Sequence, residues 1–153
     1  MSNRIEDQAR RIAEPFLNEN NCLLWDVLFE KEGAMHYLKV LFDDGDGALD
    51  MDKCERLTPP LNKLFDAEDF IKQVDIVEIG SPGLTRRLRH KEHFNFCKGK
   101  NIRVMKRLEN GKTQMISGTL TDYDAEGKYI TLNGEEQMNL KKCIRITLEE
   151  QPQ

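Results

Sequence analysis

Hydrophobic periodicity changes once along this chain, and the change coincides with a turn-forming stretch, Gly80-Ser81-Pro82-Gly83-Leu84. Pro82 presets φ for the first corner of a tight turn, and Gly83 permits positive φ at the second. Before the turn, long helical repeats alternate with strand-like runs; after it, short strand patterns follow one another closely. A chain that switches in this way is expected to form two domains, at 1–84 and 92–150, with 85–91 as the interdomain linker.

In the first part Ile5, Ala9, Ile12 and Phe16 recur at helical spacing, predicting an amphipathic helix over 3–20 that Pro15 should kink or end early. Leu23, Trp25, Val27 and Phe29 alternate with Leu24, Asp26, Leu28 and Glu30, the pattern of a strand with one buried face. Lys31-Glu32-Gly33-Ala34 reads as a hairpin turn into a second strand over 35–42. Asp50 is placed to cap the next helix, whose Cys54, Leu57, Leu61, Leu64 and Phe65 should face inward. Pro59-Pro60 removes two donors from that helix and should break or bend it. Val74, Ile76, Val77 and Ile79 mark a third strand. The expected order is α-β-β-α-β, with two helices on a three-stranded sheet.

In the second part a short helix is expected over 91–97. Five strands then follow, over 102–108, 115–121, 129–132, 136–140 and 144–148, with Asn110-Gly111 and Asn133-Gly134 as hairpin signals. Strands this short and close suggest a small SH3-like or Sm-like β-barrel, which makes the chain an α+β protein overall.

Charge is segregated as well. Residues 1–79 carry 9 Lys and Arg against 18 Asp and Glu, whereas residues 86–112 carry 10 against 2. Residues 113–153 return to 4 against 7. The positive charge is thus a belt between two acidic bodies, and it points to an anionic partner, RNA first among them. The belt comprises Arg86, Arg87, Arg89, Lys91, Lys98, Lys100, Arg103, Lys106, Arg107 and Lys112. Arginines at a turn suit phosphate contacts whose strength depends on salt. Its aromatic residues, Phe94 and Phe96, lie in the helical stretch and read as core, so shape-and-phosphate recognition of folded RNA is expected rather than base stacking.

Other chemistry finds little support. Asp44, Asp46, Asp50, Asp52 and Glu55 have the spacing of a calcium loop, but Leu49 stands where glycine is needed. His90, His93 and Cys97 could share a helical face, yet three ligands on one short helix close a tetrahedron poorly; two surface histidines and a buried thiol are expected instead. Asn110-Gly111-Lys112-Thr113 lacks the first glycine of a phosphate-binding loop, with Lys106 in its place. Ser81 is followed by Pro82, which removes a donor that an oxyanion hole would use. No enzyme, cofactor or metal is therefore expected. The four cysteines are scattered, as in a reduced cytoplasmic protein, and no secretory leader or membrane span is read at 39% hydrophobic residues.

Val77-Glu78-Ile79-Gly80-Ser81-Pro82-Gly83-Leu84-Thr85-Arg86 resembles the "VEISSPGLDRPL" signature of the bacterial ribosome maturation factor RimP family. Leu24-Trp25-Asp26-Val27 with Phe29-Glu30 is similar to the family's "LVDVEF" strand. Asp52-Lys53-Cys54-Glu55-Arg56 is similar to its "DDCER" helix start, and Gly118-Thr119-Leu120 to its "GTL". Thr85 and Arg87 depart from the signature's aspartate and proline, and Pro59-Pro60 interrupts a helix that normally runs on. The resemblance implies an α/β domain joined to an SH3/Sm-like barrel. It also implies non-catalytic binding to the immature small ribosomal subunit, by way of rRNA and the basic twelfth small-subunit ribosomal protein. With it goes a functional interdomain turn at Ser81, Pro82, Gly83 and Leu84, in a protein expected to be a monomer. A protein–protein adaptor that docks through its barrel and touches no RNA is the alternative from another class.

Overall fold

A computed structural model describes residues 4–44, 50–82 and 86–149. The chain divides into two compact units, Met1–Pro82 and Gly83–Gln153.

The first unit runs α1 (Arg4–Glu19), β1 (Leu23–Glu32), β2 (Met35–Asp43), α2 (Met51–Asp66), a 3₁₀ turn (Asp69–Gln73) and β3 (Ile76–Gly80). β1 and β2 form an antiparallel hairpin that turns at Gly33, where φ is +63°. β3 lies parallel to β2, which requires a crossover, and α2 supplies it. Leu38, Val40 and Phe42 alternate along β2, so they share one face of the sheet. They join Ala9, Ala13 and Leu17 of α1 and Leu57, Leu61 and Phe65 of α2 in one core, which puts both helices on that face. The expected α-β-β-α-β order is observed, with a 3₁₀ turn that periodicity did not anticipate.

Other details differ from expectation. α1 buries Ile5, Ala9, Ala13 and Leu17, while Ile12 and Phe16 are only partly covered. Two alanines at i, i+4 let the helix approach the sheet closely, so the small residues take the centre of the contact. Leu64 is 43% exposed, at the margin of the buried stripe of α2. All three helical prolines are accommodated: α1 runs on past Pro15, and α2 is continuous through Pro59-Pro60. Their missing N–H groups would have met the carbonyls of Arg11, Glu55 and Arg56, all exposed residues whose carbonyls water can satisfy. Asp50 does cap α2, its Oδ1 accepting from the Asp52 N–H at 2.9 Å. Replacing Pro59 by alanine is expected to restore a helical hydrogen bond and raise stability by about 2 kcal/mol. An unchanged or lower thermal midpoint would show that the fold uses the prolines.

The second unit runs α3 (Lys91–Cys97), β4 (Asn101–Arg107), β5 (Thr113–Tyr123), β6 (Tyr129–Leu132), β7 (Glu136–Asn139), a 3₁₀ turn (Leu140–Lys142) and β8 (Cys143–Leu148). The strands form one five-stranded sheet ordered β7-β6-β5-β4-β8, with every neighbouring pair antiparallel. The first half of β5 pairs with β4 and its end with β6, with an irregularity between Leu120 and Asp122. Among the described residues no ladder joins β7 to β8. Ile102 and Val104, Ile130 and Leu132, and Ile146 and Leu148 alternate inward and are buried. Gly118 lies close under Asn133: a Cβ there would stand 2.9 Å from Nδ2 of Asn133, so that side chain, whose Oδ1 accepts from the Thr119 N–H at 3.0 Å, would have to shift.

The stretch expected to be a linker is, from Arg86 on, part of this sheet. The Leu88 N–H donates to the Ile146 carbonyl at 2.8 Å, the Leu148 N–H donates to the Arg86 carbonyl at 2.7 Å, and Arg87 bridges Thr147. Backbone pairing along β8 thus absorbs residues 86–88. No helix among the described residues is long and apolar enough to cross a membrane.

Candidate nucleic-acid interface

The antiparallel register of β4 and β8 sets Lys106 opposite Cys143 and Met105 opposite Arg145. It therefore brings the 3₁₀ turn carrying Lys141 and Lys142 beside the end of β4. A groove of about 380 Å³ results, lined by Lys106, Arg107, Lys141 and Lys142, with Leu108 and Ile144 as its apolar part and Glu109 as its one acid. A second groove of about 190 Å³ is lined by Arg87, Arg89 and Arg145 over apolar Leu88, Phe94 and Ile146. Ile144 lines both, so the two grooves meet there.

The belt residues divide by what surrounds them. Arg86 is 2% exposed, and with Lys100 it acts on the buried Cys97 thiol; burial pushes that thiol up to about 11, and the two cations partly oppose the rise. A buried guanidinium offers nothing to a phosphate, so Arg86 leaves the expected set. Arg103 pairs with Glu149 at 3.1 Å, Lys98 lies 3.9 Å from Asp122, and Lys100 stands 4.0 Å over the Phe96 ring. Lys91 and Lys112 are exposed, at the start of α3 and in the β4–β5 turn. Arg87 and Arg89 line the smaller groove, and Lys106 and Arg107 the larger. Among the described residues no carboxylate lies within ion-pairing distance of Lys106, Arg107, Lys141, Lys142 or Arg145. Ser81 is exposed and Pro82 half-buried, while Gly83, Leu84 and Thr85 lie outside the described residues.

Lys141, Lys142 and Arg145 were missed because they sit in an acidic stretch of sequence. The available signal was the Lys141-Lys142 corner just ahead of a strand, and only strand pairing shows what it adjoins.

The histidine and cysteine grouping serves the helix. His93 is buried, not on the surface as expected, and its Nδ1 accepts from the N–H groups of Arg89 at 2.8 Å and His90 at 3.1 Å. That nitrogen closes the first turn of α3. The Asp44 carboxylate of the acidic loop accepts from Lys53 Nζ at 2.8 Å, which holds its carboxyl below the usual range, and Asp50 is taken up by the cap of α2. Asp46 lies outside the described residues. Burial raises the thiols of Cys22 and Cys143 too, which makes them weak nucleophiles at neutral pH. The chemistry that this surface offers is the holding of anions.

A family model described as the RimP N-terminal domain matches residues 12–85. That span runs from the middle of α1 through β3 and takes in the sequence Gly80-Ser81-Pro82-Gly83-Leu84. The grooves lie beyond it, in the second unit, so the match and the cationic surface are independent observations.

Proposed function

Because residues 12–85 make the chain a member of the RimP family of ribosome maturation factors, we propose that it binds the immature small ribosomal subunit and promotes its assembly with no chemical step. The observation that carries the RNA part is the convergence, on adjoining grooves, of five cations from β4, the 3₁₀ turn and β8 that meet no carboxylate among the described residues. Each phosphate held there releases counterions, which makes binding favourable and salt-dependent. A factor that holds one rRNA fold better than its alternatives shifts the population toward it, and that differential affinity is all the work required.

The remaining parts of this reading rest on the family. The second unit is read as an SH3/Sm-like barrel, a reading with which the irregularity between Leu120 and Asp122 in β5 and the 3₁₀ turn before β8 are compatible. The 18 acidic side chains of residues 1–79 suit the basic twelfth small-subunit ribosomal protein. The protein works in the cytoplasm as a monomer, without a cofactor. Its two domains follow the units Met1–Pro82 and Gly83–Gln153, so that 85–91 belongs with the second rather than to a separate linker.

Capture of purified small subunits by the tagged full-length protein, with and without ribonuclease, separates this reading from a pure adaptor. Association should fall when the rRNA is digested. Full retention on ribosomal protein alone would establish the adaptor.

A further inference from the structure

Both grooves include apolar residues in their lining, and an A-form duplex has no use for them. A duplex presents phosphates and 2′-hydroxyls and keeps its base faces stacked inside. An unpaired nucleotide presents a phosphate and an apolar base face together. The larger groove offers the matching pair: four cations against one acid around Leu108 and Ile144, with Ile144 39% exposed between the charged rims. An acidic peptide would match the charge but not the backbone. Along Ile146 and Leu148 the hydrogen-bonding edge of β8 is already taken by Arg86 and Leu88, so an extended peptide cannot add a strand there.

We propose that the two grooves meeting at Ile144 take an unpaired stretch of RNA. Its phosphates lie on Lys106, Arg107, Lys141 and Lys142 and continue toward the arginine groove, while a base lies on Leu108 and Ile144. This rests on the rRNA-binding reading and replaces duplex shape with single-stranded character as the feature recognised.

The test is fluorescence anisotropy with the full-length protein, a labelled oligouridylate, an RNA duplex of the same length, and polyglutamate as competitor. Oligouridylate should bind more tightly than the duplex. Ile144→Thr, which keeps a β-branched residue in the strand, should weaken oligouridylate binding about 10-fold and leave the duplex unaffected. Ile144→Val should stay near wild type, which guards against misfolding as the cause. Equal or tighter duplex binding with a silent Ile144→Thr would overturn the inference and leave the rRNA reading standing. Polyglutamate binding more tightly than either RNA would overturn it in favour of a peptide, and binding to neither RNA would remove both readings.

Discussion

Replacing Lys106, Arg107, Lys141 and Lys142 together by glutamate is expected to weaken binding to small ribosomal subunits on the order of 100-fold near physiological salt. These four cations line the larger groove and have no ion-pair partner among the described residues. Each one that meets a phosphate releases a counterion, so their loss should also flatten the dependence of log affinity on log salt by about 4 units. Lys98→Gln is the comparison. Lys98 already lies 3.9 Å from Asp122, and its removal should change affinity only slightly. Co-sedimentation across a salt series measures both quantities. If the quadruple variant keeps the wild-type slope, the grooves are not where phosphates bind.

The largest effect on stability is expected at Phe65. Its side chain is fully buried in the core of the first unit and meets Phe70 edge to face, with ring centroids 5.9 Å apart. Truncation to alanine leaves a cavity between α2 and the sheet and should cost about 3–5 kcal/mol. A domain of this size has only about 5–15 kcal/mol to lose. The neighbouring Leu64 is 43% exposed, and Leu64→Ala should cost under about 1 kcal/mol. Urea unfolding followed by the fluorescence of Trp25, the single tryptophan, reports on this unit. Similar midpoints for the two variants would mean that the inward face of α2 is placed wrongly.

That contrast also marks what periodicity can resolve. A period of 3.6 was enough to find α2, but adjacent leucine and phenylalanine at its margin could not be told apart by spacing. Only the position of the sheet decides which of them is covered. In α1 the same ambiguity went the other way: Ala13 and Leu17, in step with Ile5 and Ala9 at i, i+4, are buried, while Ile12 and Phe16 are only partly covered. Proline misled for a different reason. The penalty for Pro15, Pro59 and Pro60 falls on carbonyls one turn earlier, and whether water reaches them is a tertiary fact.

The candidate site was half legible. Lys106 and Arg107 stood inside a strongly basic stretch, and their exposure followed from β4 being half-buried. Arg86 looked the same in sequence, yet it is enclosed, and its carbonyl accepts from β8. Lys141, Lys142 and Arg145 lay in a stretch with net negative charge, where counting hid them. A ladder between β4 and β8 joins segments some forty residues apart, and charge tallies along the chain do not see across a ladder.

If the protein serves small-subunit assembly as proposed, depleting it from cells should change their sucrose-gradient profile. Free subunits should accumulate, with unprocessed small-subunit rRNA in the small-subunit peak, and the wild-type gene should restore the profile. A profile identical to that of undepleted cells, with fully processed rRNA, would contradict the account.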